Sequence, residues 1–89
     1  MHAVLTNVTI KDVDTAEGFL REQVVPAVKQ APGFVAGYWV RVEGEGNGVI
    51  VFESEDAARQ AADRIGERIG QNPGVTLNSV KVGEVVADA

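Results

Sequence analysis

The stretch that decides the fold runs from residue 31 to residue 42: Ala31-Pro32-Gly33-Phe34-Val35-Ala36-Gly37-Tyr38-Trp39-Val40-Arg41-Val42. Pro32 disfavours a helical residue before it and Gly33 accepts a left-handed turn, so a preceding helix ends here. The residues from 34 to 42 then predict a strand with large apolar groups on both faces. Strict alternation puts Phe34, Ala36, Tyr38, Val40 and Val42 on one face, and Val35, Gly37, Trp39 and Arg41 on the other.

The chain before this stretch predicts one strand and one helix. Alternating apolar residues indicate a strand from Ala3 to Ile10. Asp14 has the position of a helix cap, and Glu17 that of the acidic partner in a capping box. Apolar residues then follow at helical spacing. Pro26 removes a backbone donor within this pattern and predicts a kink or the last regular turns of the helix.

The chain after it predicts a hairpin, a second helix and a last strand. Residues 43–48 are rich in glycine and predict a hairpin loop between the second strand and a third over residues 49–53. Ser54 is a natural cap for the second helix, which Asn72-Pro73-Gly74 ends. Residues 75–86 predict the fourth strand, with a bulge or bend at Gly83.

The order β-α-β-β-α-β predicts one α+β domain spanning residues 1–89. It is the ferredoxin-like arrangement, a four-stranded antiparallel sheet with both helices on one face. The opposite face carries several large apolar residues whichever face the helices cover, and such a face is rarely left open to water. We therefore expect a homodimer in which two sheets face each other. A monomer whose C-terminal segment folds over the open face is the alternative.

Composition excludes several classes of function. The net charge of −5 argues against affinity for nucleic acid and for anionic membrane surfaces. With no cysteine and one histidine, the chain is not expected to hold a metal. No apolar run approaches the roughly 20 residues that cross a bilayer, and no targeting signal is apparent, so a cytoplasmic protein is expected.

Residues 31–41, APGFVAGYWVR, resemble the helix-to-strand junction of the dimeric α+β barrel superfamily, most closely that of the antibiotic biosynthesis monooxygenase-like domains. The end of the third strand and the start of the second helix, Val51-Phe52-Glu53-Ser54-Glu55-Asp56-Ala57, is also similar to that family. The resemblance implies a barrel made by two sheets, with a pocket between the sheet and its own helices or in the barrel interior. It also implies activities that include cofactor-free oxidation of quinols and polyketides, and haem degradation.

Family patterns bear differently on these activities. Haem-degrading members pair an Asn on the first strand, matched here by Asn7, with a later Trp and His. No His follows His2, and the only Trp is on the second strand, so haem degradation is poorly supported. Polyketide monooxygenases place Asn, Trp, Tyr and Arg around an aromatic substrate. The residue types are present here as Asn7, Tyr38, Trp39 and Arg41, which are the candidate substrate-binding residues.

Each candidate has a second interpretation. Trp39 and Arg41 share a face and suit a flat, electron-rich or acidic ligand, or else Trp39 fills the dimer core and Arg41 pairs with an acid at the rim. Tyr38 and Asn7 suit ligand oxygens, or a packed core and a cross-strand partner. His2 is expected to be frayed or on the surface. No catalytic residue is assigned.

Two functions follow from these residues. The first is a monooxygenase-like enzyme that oxidises a small aromatic or quinol-type molecule without a cofactor. The second is a non-catalytic domain of the same fold that binds a small ligand or a partner. An apolar cavity walled by Trp39 and Asn7 favours the first, and a fully packed interior argues against it.

Overall fold

A computed structural model describes all 89 residues and has the predicted order of elements. The strands are β1 (His2–Ile10), β2 (Phe34–Val42), β3 (Glu45–Phe52) and β4 (Val75–Glu84). The first helix, α1, covers residues 13–29 in three parts, an α-helix Val13–Phe19, a π-helical turn Leu20–Val24 and an α-helix Val25–Lys29. The second helix, α2, is Glu55–Gly70. No helix is long and apolar enough to cross a membrane.

The four strands form one antiparallel sheet in the order β2-β3-β1-β4. This confirms the ferredoxin-like prediction. The core lies between the sheet and the two helices, where Val4, Ile50 and Phe52 from the central strands are fully buried. Val24 of α1 and Ala58 of α2 are buried in the same cluster. Alternation along the strands therefore assigns a helix-facing side and an open side to the sheet.

The start of α1 differs from the prediction. The cap is Asp12, whose Oδ1 accepts a hydrogen bond from the Thr15 amide at 2.9 Å, and Asp14 lies inside the first turn. The amides of Lys11 and Asp12 donate to the Gly74 carbonyl at 2.7 and 3.2 Å. This contact with the start of β4 fixes the chain just before the helix, which a local pattern cannot reveal.

Pro26 does not end α1. A five-residue π-helical turn, Leu20–Val24, precedes it, and the helix continues to Lys29. A π turn contains one residue more than an α turn. The helix can therefore continue past Pro26 even though proline has no backbone N–H to donate. The prediction of a disturbance at Pro26 is confirmed, as is the end of the helix before Pro32. Gly33 has the expected positive φ, at 79°.

The strict alternation predicted for β2 is wrong at the first residues of the strand. Phe34 pairs with Phe52 and Ala36 with Val51, so Val35 is an extra residue in a β-bulge. The bulge places Phe34 on the same face as Gly37, Trp39 and Arg41, towards the helices. Tyr38, Val40 and Val42 lie on the open face, as the alternation beyond the bulge requires.

Two details of the other strands also differ. The predicted six-residue hairpin loop is a two-residue turn at Glu43 and Gly44, and it is Glu43, not a glycine, that has a positive φ of 55°. Gly83 pairs regularly with Ala3, whereas the irregularity in β4 falls at Asn78, between the pairs of Ser79 with Asn7 and Leu77 with Val8. The bulge predicted at Gly83 is therefore misplaced by five residues.

The open face of the sheet is apolar and uncovered. Tyr38 is 68% exposed, Val40 52% and Val49 40%, and Leu5 beside them is also exposed. The residues after Glu84 form no helix or strand, and Val86 is itself exposed. The alternative in which the C-terminal segment covers this face is therefore wrong.

Candidate functional site

A cavity of about 740 Å³ lies between α1 and the helix-facing side of the sheet. Its walls are mostly apolar and come from both layers, including Val8, Ile10, Leu20, Val24 and Val75. A smaller cavity of about 300 Å³ between α1 and α2 contains none of the predicted site residues. The large cavity has the size of a site for a small organic molecule.

Glycines make the floor of this cavity. Gly37 on β2, and Gly46 and Gly48 on β3, all line it. A Cβ at Gly37 would lie 3.0 Å from Cη2 of Trp39, and one at Gly48 would lie 3.1 Å from Cδ1 and Nε1 of the same indole. Trp39 therefore lies along the sheet from Gly37 to Gly48. Because neither glycine has a side chain, the ring rests close to the backbone and the space above the sheet stays open.

The indole also carries an unsatisfied donor. Nε1 of Trp39 is buried and has no hydrogen-bond partner. A buried N–H without a partner is costly, and such donors in native proteins call for an explanation. Thr6, a buried residue, lies on the same floor opposite Gly48.

Three charged side chains line the cavity. Arg41, on β2, donates from Nε to Oε2 of Glu17 at 2.6 Å. Arg21, one turn further along α1, donates from Nη2 to the other oxygen of Glu17 at 3.5 Å. Arg41 is thus paired with an acid, as one of its two interpretations expects. Glu17 and Arg21 were not among the predicted site residues, although their spacing of four residues on a helix signals an ion pair.

The four candidate residues divide between the two faces of the sheet. Trp39 and Arg41 lie together in the cavity, and Trp39 packs against the helix-side core, so the interpretation of Trp39 as dimer-core filler is wrong. Tyr38 and Asn7 project from the open face. The residues next to Asn7 and Tyr38 along β1 and β2 line the cavity, because successive side chains of a strand point to opposite faces of the sheet.

Asn7 belongs to a cluster of amides that spans three strands of the open face. Nδ2 of Asn7 donates to Oδ1 of Asn47 at 2.9 Å. Nδ2 of Asn78 donates to Oδ1 of Asn7 at 2.8 Å and to Oγ1 of Thr9 at 3.0 Å. The expected cross-strand partner of Asn7 is thus present on both sides, and the bulge at Asn78 is what brings that amide into reach.

The other titratable groups lie away from the cavity. His2 is half-buried within β1, pairs with Phe52 and Glu84, and has a buried Nδ1 without a partner, so it is not frayed as expected. The hydrogen bond from the Thr15 amide lowers the pKa of Asp12, and that from Arg59 lowers the pKa of Glu55. No three His, Cys, Asp or Glu side chains form a group able to hold a metal ion.

Comparison with known proteins identifies the fold. No protein-family model matches the chain, and no curated protein matches it in sequence. Among solved structures, SnoaB, a cofactor-independent oxygenase from Streptomyces nogalater, is 15% identical with a TM-score of 0.70, over 99% of this chain and 93% of that one.

Two further similar structures are those of a monooxygenase and of a haem-degrading protein. ActVA-Orf6 of Streptomyces coelicolor, a monooxygenase in complex with nanaomycin D, is 14% identical with a TM-score of 0.62, over 98% of this chain and 92% of that one. The haem-degrader MhuD from Mycobacterium tuberculosis is 27% identical with a TM-score of 0.58, over 97% of this chain and 98% of that one. The chain thus shares its ferredoxin-like fold with these structures, which is the fold expected from its resemblance to the antibiotic biosynthesis monooxygenase-like domains.

Proposed function

We propose that this protein is a small homodimeric monooxygenase-like enzyme that oxidises an aromatic or quinol-type molecule without a cofactor. The observation that carries the proposal is the cavity in which the Trp39 indole lies across a glycine floor, below apolar walls and beside a guanidinium. The fold shared with SnoaB, a cofactor-independent oxygenase, supports the same chemistry.

The shape of the floor favours a planar ligand. Aromatic rings stack in offset or edge-to-face arrangements, each worth about 0.5–1.5 kcal/mol beyond the burial of area. Because Gly37 and Gly48 lack side chains, the Trp39 indole lies low on the sheet and leaves room above it for a ring system. In this proposal Trp39 and Arg41 position the substrate.

Oxygenation without a cofactor requires the substrate to supply the electrons. A quinol, written RH2, reacts as RH2 + O2 → RO + H2O, in which one oxygen atom enters the ring of the product, a hydroxyquinone, and the other leaves as water. Loss of a proton from RH2 makes it a better electron donor. A guanidinium beside the cavity stabilises the resulting anion, because it places a positive charge and hydrogen-bond donors where the negative charge develops.

Asn7 and Tyr38 lie on the opposite face of the sheet from Trp39. They project from the open face, so they can orient the oxygens of a ligand only if it binds in the interior of a two-sheet barrel. Substitutions on the two faces distinguish a ligand bound under the helices from one bound in the barrel interior. Loss of turnover with Trp39→Phe and not with Asn7→Ala indicates the cavity under the helices, and the reverse indicates the barrel interior.

The homodimer is proposed from the open face. It exposes Leu5, Tyr38, Val40 and Val49, and burying each such side chain contributes roughly 1.5–3 kcal/mol. A second copy of the same face is complementary to it under two-fold symmetry. The Asn7, Asn47 and Asn78 amides satisfy one another within each sheet, which lowers the cost of burying them. Cytoplasmic location remains a prediction from composition.

The test of the enzyme is oxygen consumption with a panel of model quinols. We expect consumption above the buffer rate in the wild type and a severalfold decrease in Trp39→Phe, since the flat floor is altered while the core volume is largely kept. Absence of consumption above buffer for every quinol contradicts the proposal. Quinol binding without consumption indicates the alternative, a non-catalytic ligand-binding domain.

A further inference from the structure

The cavity under α1 carries a net positive charge in a protein that is acidic overall. Among its lining residues only Glu17, Arg21 and Arg41 are charged, which gives two positive charges and one negative. The whole chain has a net charge of −5. An excess of positive charge confined to a cavity attracts anions and raises their local concentration.

The single carboxylate leaves most of the arginine donors free. A guanidinium has five N–H donors in a fixed fork, and Arg41 bonds Glu17 through Nε, so both of its terminal nitrogens remain available. Arg21 reaches Glu17 through one terminal nitrogen at 3.5 Å, a long hydrogen bond. The side chains of Arg21 and Arg41 are 74% and 51% exposed, whereas that of Glu17 is 26% exposed. The donors are therefore accessible, and the carboxylate is the less exposed member.

The indole and the guanidinium come from neighbouring positions on one face of β2. Arg41 follows Trp39 by two residues on the same strand and the same face, and Trp39 pairs with Gly48 while Arg41 pairs with Gly46. Two residues along a strand span about 6.5–7 Å. Arg41 is therefore the cationic residue next to Trp39 on the same face of β2.

We propose that the ligand of this cavity is a planar aromatic carboxylate, whose ring lies on Trp39 and whose carboxylate takes the free donors of Arg41 and Arg21. Glu17 competes with that carboxylate for the two guanidinium groups, so it sets the affinity for acids. This inference rests on the proposed function of the same cavity and specifies the chemical class of its ligand. Carboxylate–guanidinium pairs are favoured because they form two parallel charge-assisted hydrogen bonds.

The test compares an acid with a neutral molecule of the same shape. Anthraquinone-2-carboxylate and 2-(hydroxymethyl)anthraquinone are titrated separately into the full chain at pH 7. The single tryptophan is Trp39, so quenching of its fluorescence reports binding at the floor directly. We expect the acid to bind about tenfold more tightly, a difference that corresponds to about 1.4 kcal/mol, and added salt to weaken only the acid.

Three variants assign the effect to residues. Arg41→Gln should weaken binding of the acid about tenfold and that of the neutral molecule much less, and Arg21→Gln should weaken binding of the acid less than Arg41→Gln does. Glu17→Gln should strengthen the acid severalfold, because it removes the competing charge and keeps the size of the side chain. Arg59→Gln is the matched control, since Arg59 pairs with Glu55 on α2, outside the cavity.

The outcomes distinguish this inference from the proposed enzyme. Equal binding of acid and neutral molecule, or weaker acid binding in Glu17→Gln, overturns the inference whether or not quinols are oxidised. Tight binding of the acid with no oxygen consumption from any quinol supports the inference and contradicts the oxygenase. Binding of the neutral molecule by each variant shows that the variant is folded.

Discussion

At the residue scale, the close contact of Gly74 with α1 is a strict steric requirement. A Cβ at Gly74 would lie 2.5 Å from the Ala16 backbone nitrogen and 2.8 Å from its Cα. Asn72 reinforces this contact, because its Nδ2 donates to the Ala16 carbonyl at 3.2 Å and its Oδ1 accepts from the Gly74 amide at 2.9 Å. The start of β4 and the start of α1 are therefore held together by backbone atoms that cannot move independently.

Gly74→Ala should therefore destabilise the protein by roughly 1–3 kcal/mol, the usual cost of inserting a methyl group into a packed site. Gly83→Ala is the control, since a Cβ there meets nothing within 4 Å. Urea unfolding of both variants gives the comparison. Equal midpoints for the two would contradict the steric account.

The cap of α1 makes part of its stability dependent on pH. The pKa of Asp12 is lowered from 3.8 by the hydrogen bond from Thr15, so the ionised carboxylate is the form that stabilises the folded state. A lowered pKa gives a contribution that is complete above the unfolded pKa and is lost as the pH falls through the folded pKa. Asp12→Asn keeps a capping side chain without this titration.

We expect the difference in unfolding free energy between wild type and Asp12→Asn to be constant above about pH 5 and to shrink below it. Chemical unfolding at a series of pH values measures the difference. Ser54→Asn, which exchanges one uncharged cap for another on α2, should show a difference that does not change with pH. A constant difference for Asp12→Asn down to pH 2 would count against this role of the carboxylate.

At the element scale, β2 shows how far the sequence predicts the site. The local pattern predicts the bounds of β2 and the end of the helix before it. It also predicts that Trp39 and Arg41 lie on the same face of the strand. The bulge at Val35 is not predicted, because it depends on how β3 pairs with β2. Counting by twos through the bulge put Phe34 on the wrong face. The ion pair of Glu17 with Arg41 at the cavity rim is likewise not predictable from local pattern, because the two residues are 24 positions apart in sequence.

The bulge predicts an asymmetry between two deletions in β2. Removing Val35 leaves Phe34 opposite Phe52 and Ala36 opposite Val51, so every later side chain keeps its face. Removing Val40 moves Arg41 and Val42 to opposite faces and takes the guanidinium away from Glu17. Urea unfolding should show the Val40 deletion to be the less stable of the two, and it alone should lose acid binding. Equal losses would contradict the assigned register.

At the scale of the whole molecule, the open face predicts association. We expect sedimentation equilibrium to give a mass near twice 9.4 kDa, and Val49→Lys to shift it towards 9.4 kDa. The substitution puts a positive charge into each copy of the same apolar face, where neither is paired. Val13→Lys is the matched control, since Val13 on α1 is 39% exposed and Val49 is 40% exposed. A wild-type mass of 9.4 kDa at all concentrations would contradict the dimer.

The contact of Trp39 with the glycine floor also constrains the order in which mutations can reshape the cavity. A Cβ at Gly37 would lie 3.0 and 3.1 Å from Cη2 and Cζ3 of Trp39, so Gly37→Ala requires the indole to shift while it is present. After Trp39→Val that obstacle is gone, and alanine in a strand is favoured over glycine by roughly 0.5–1 kcal/mol. The effect of the same substitution thus depends on the residue at position 39. A lineage that changes Gly37 of the floor to alanine therefore does so more easily after Trp39 has changed.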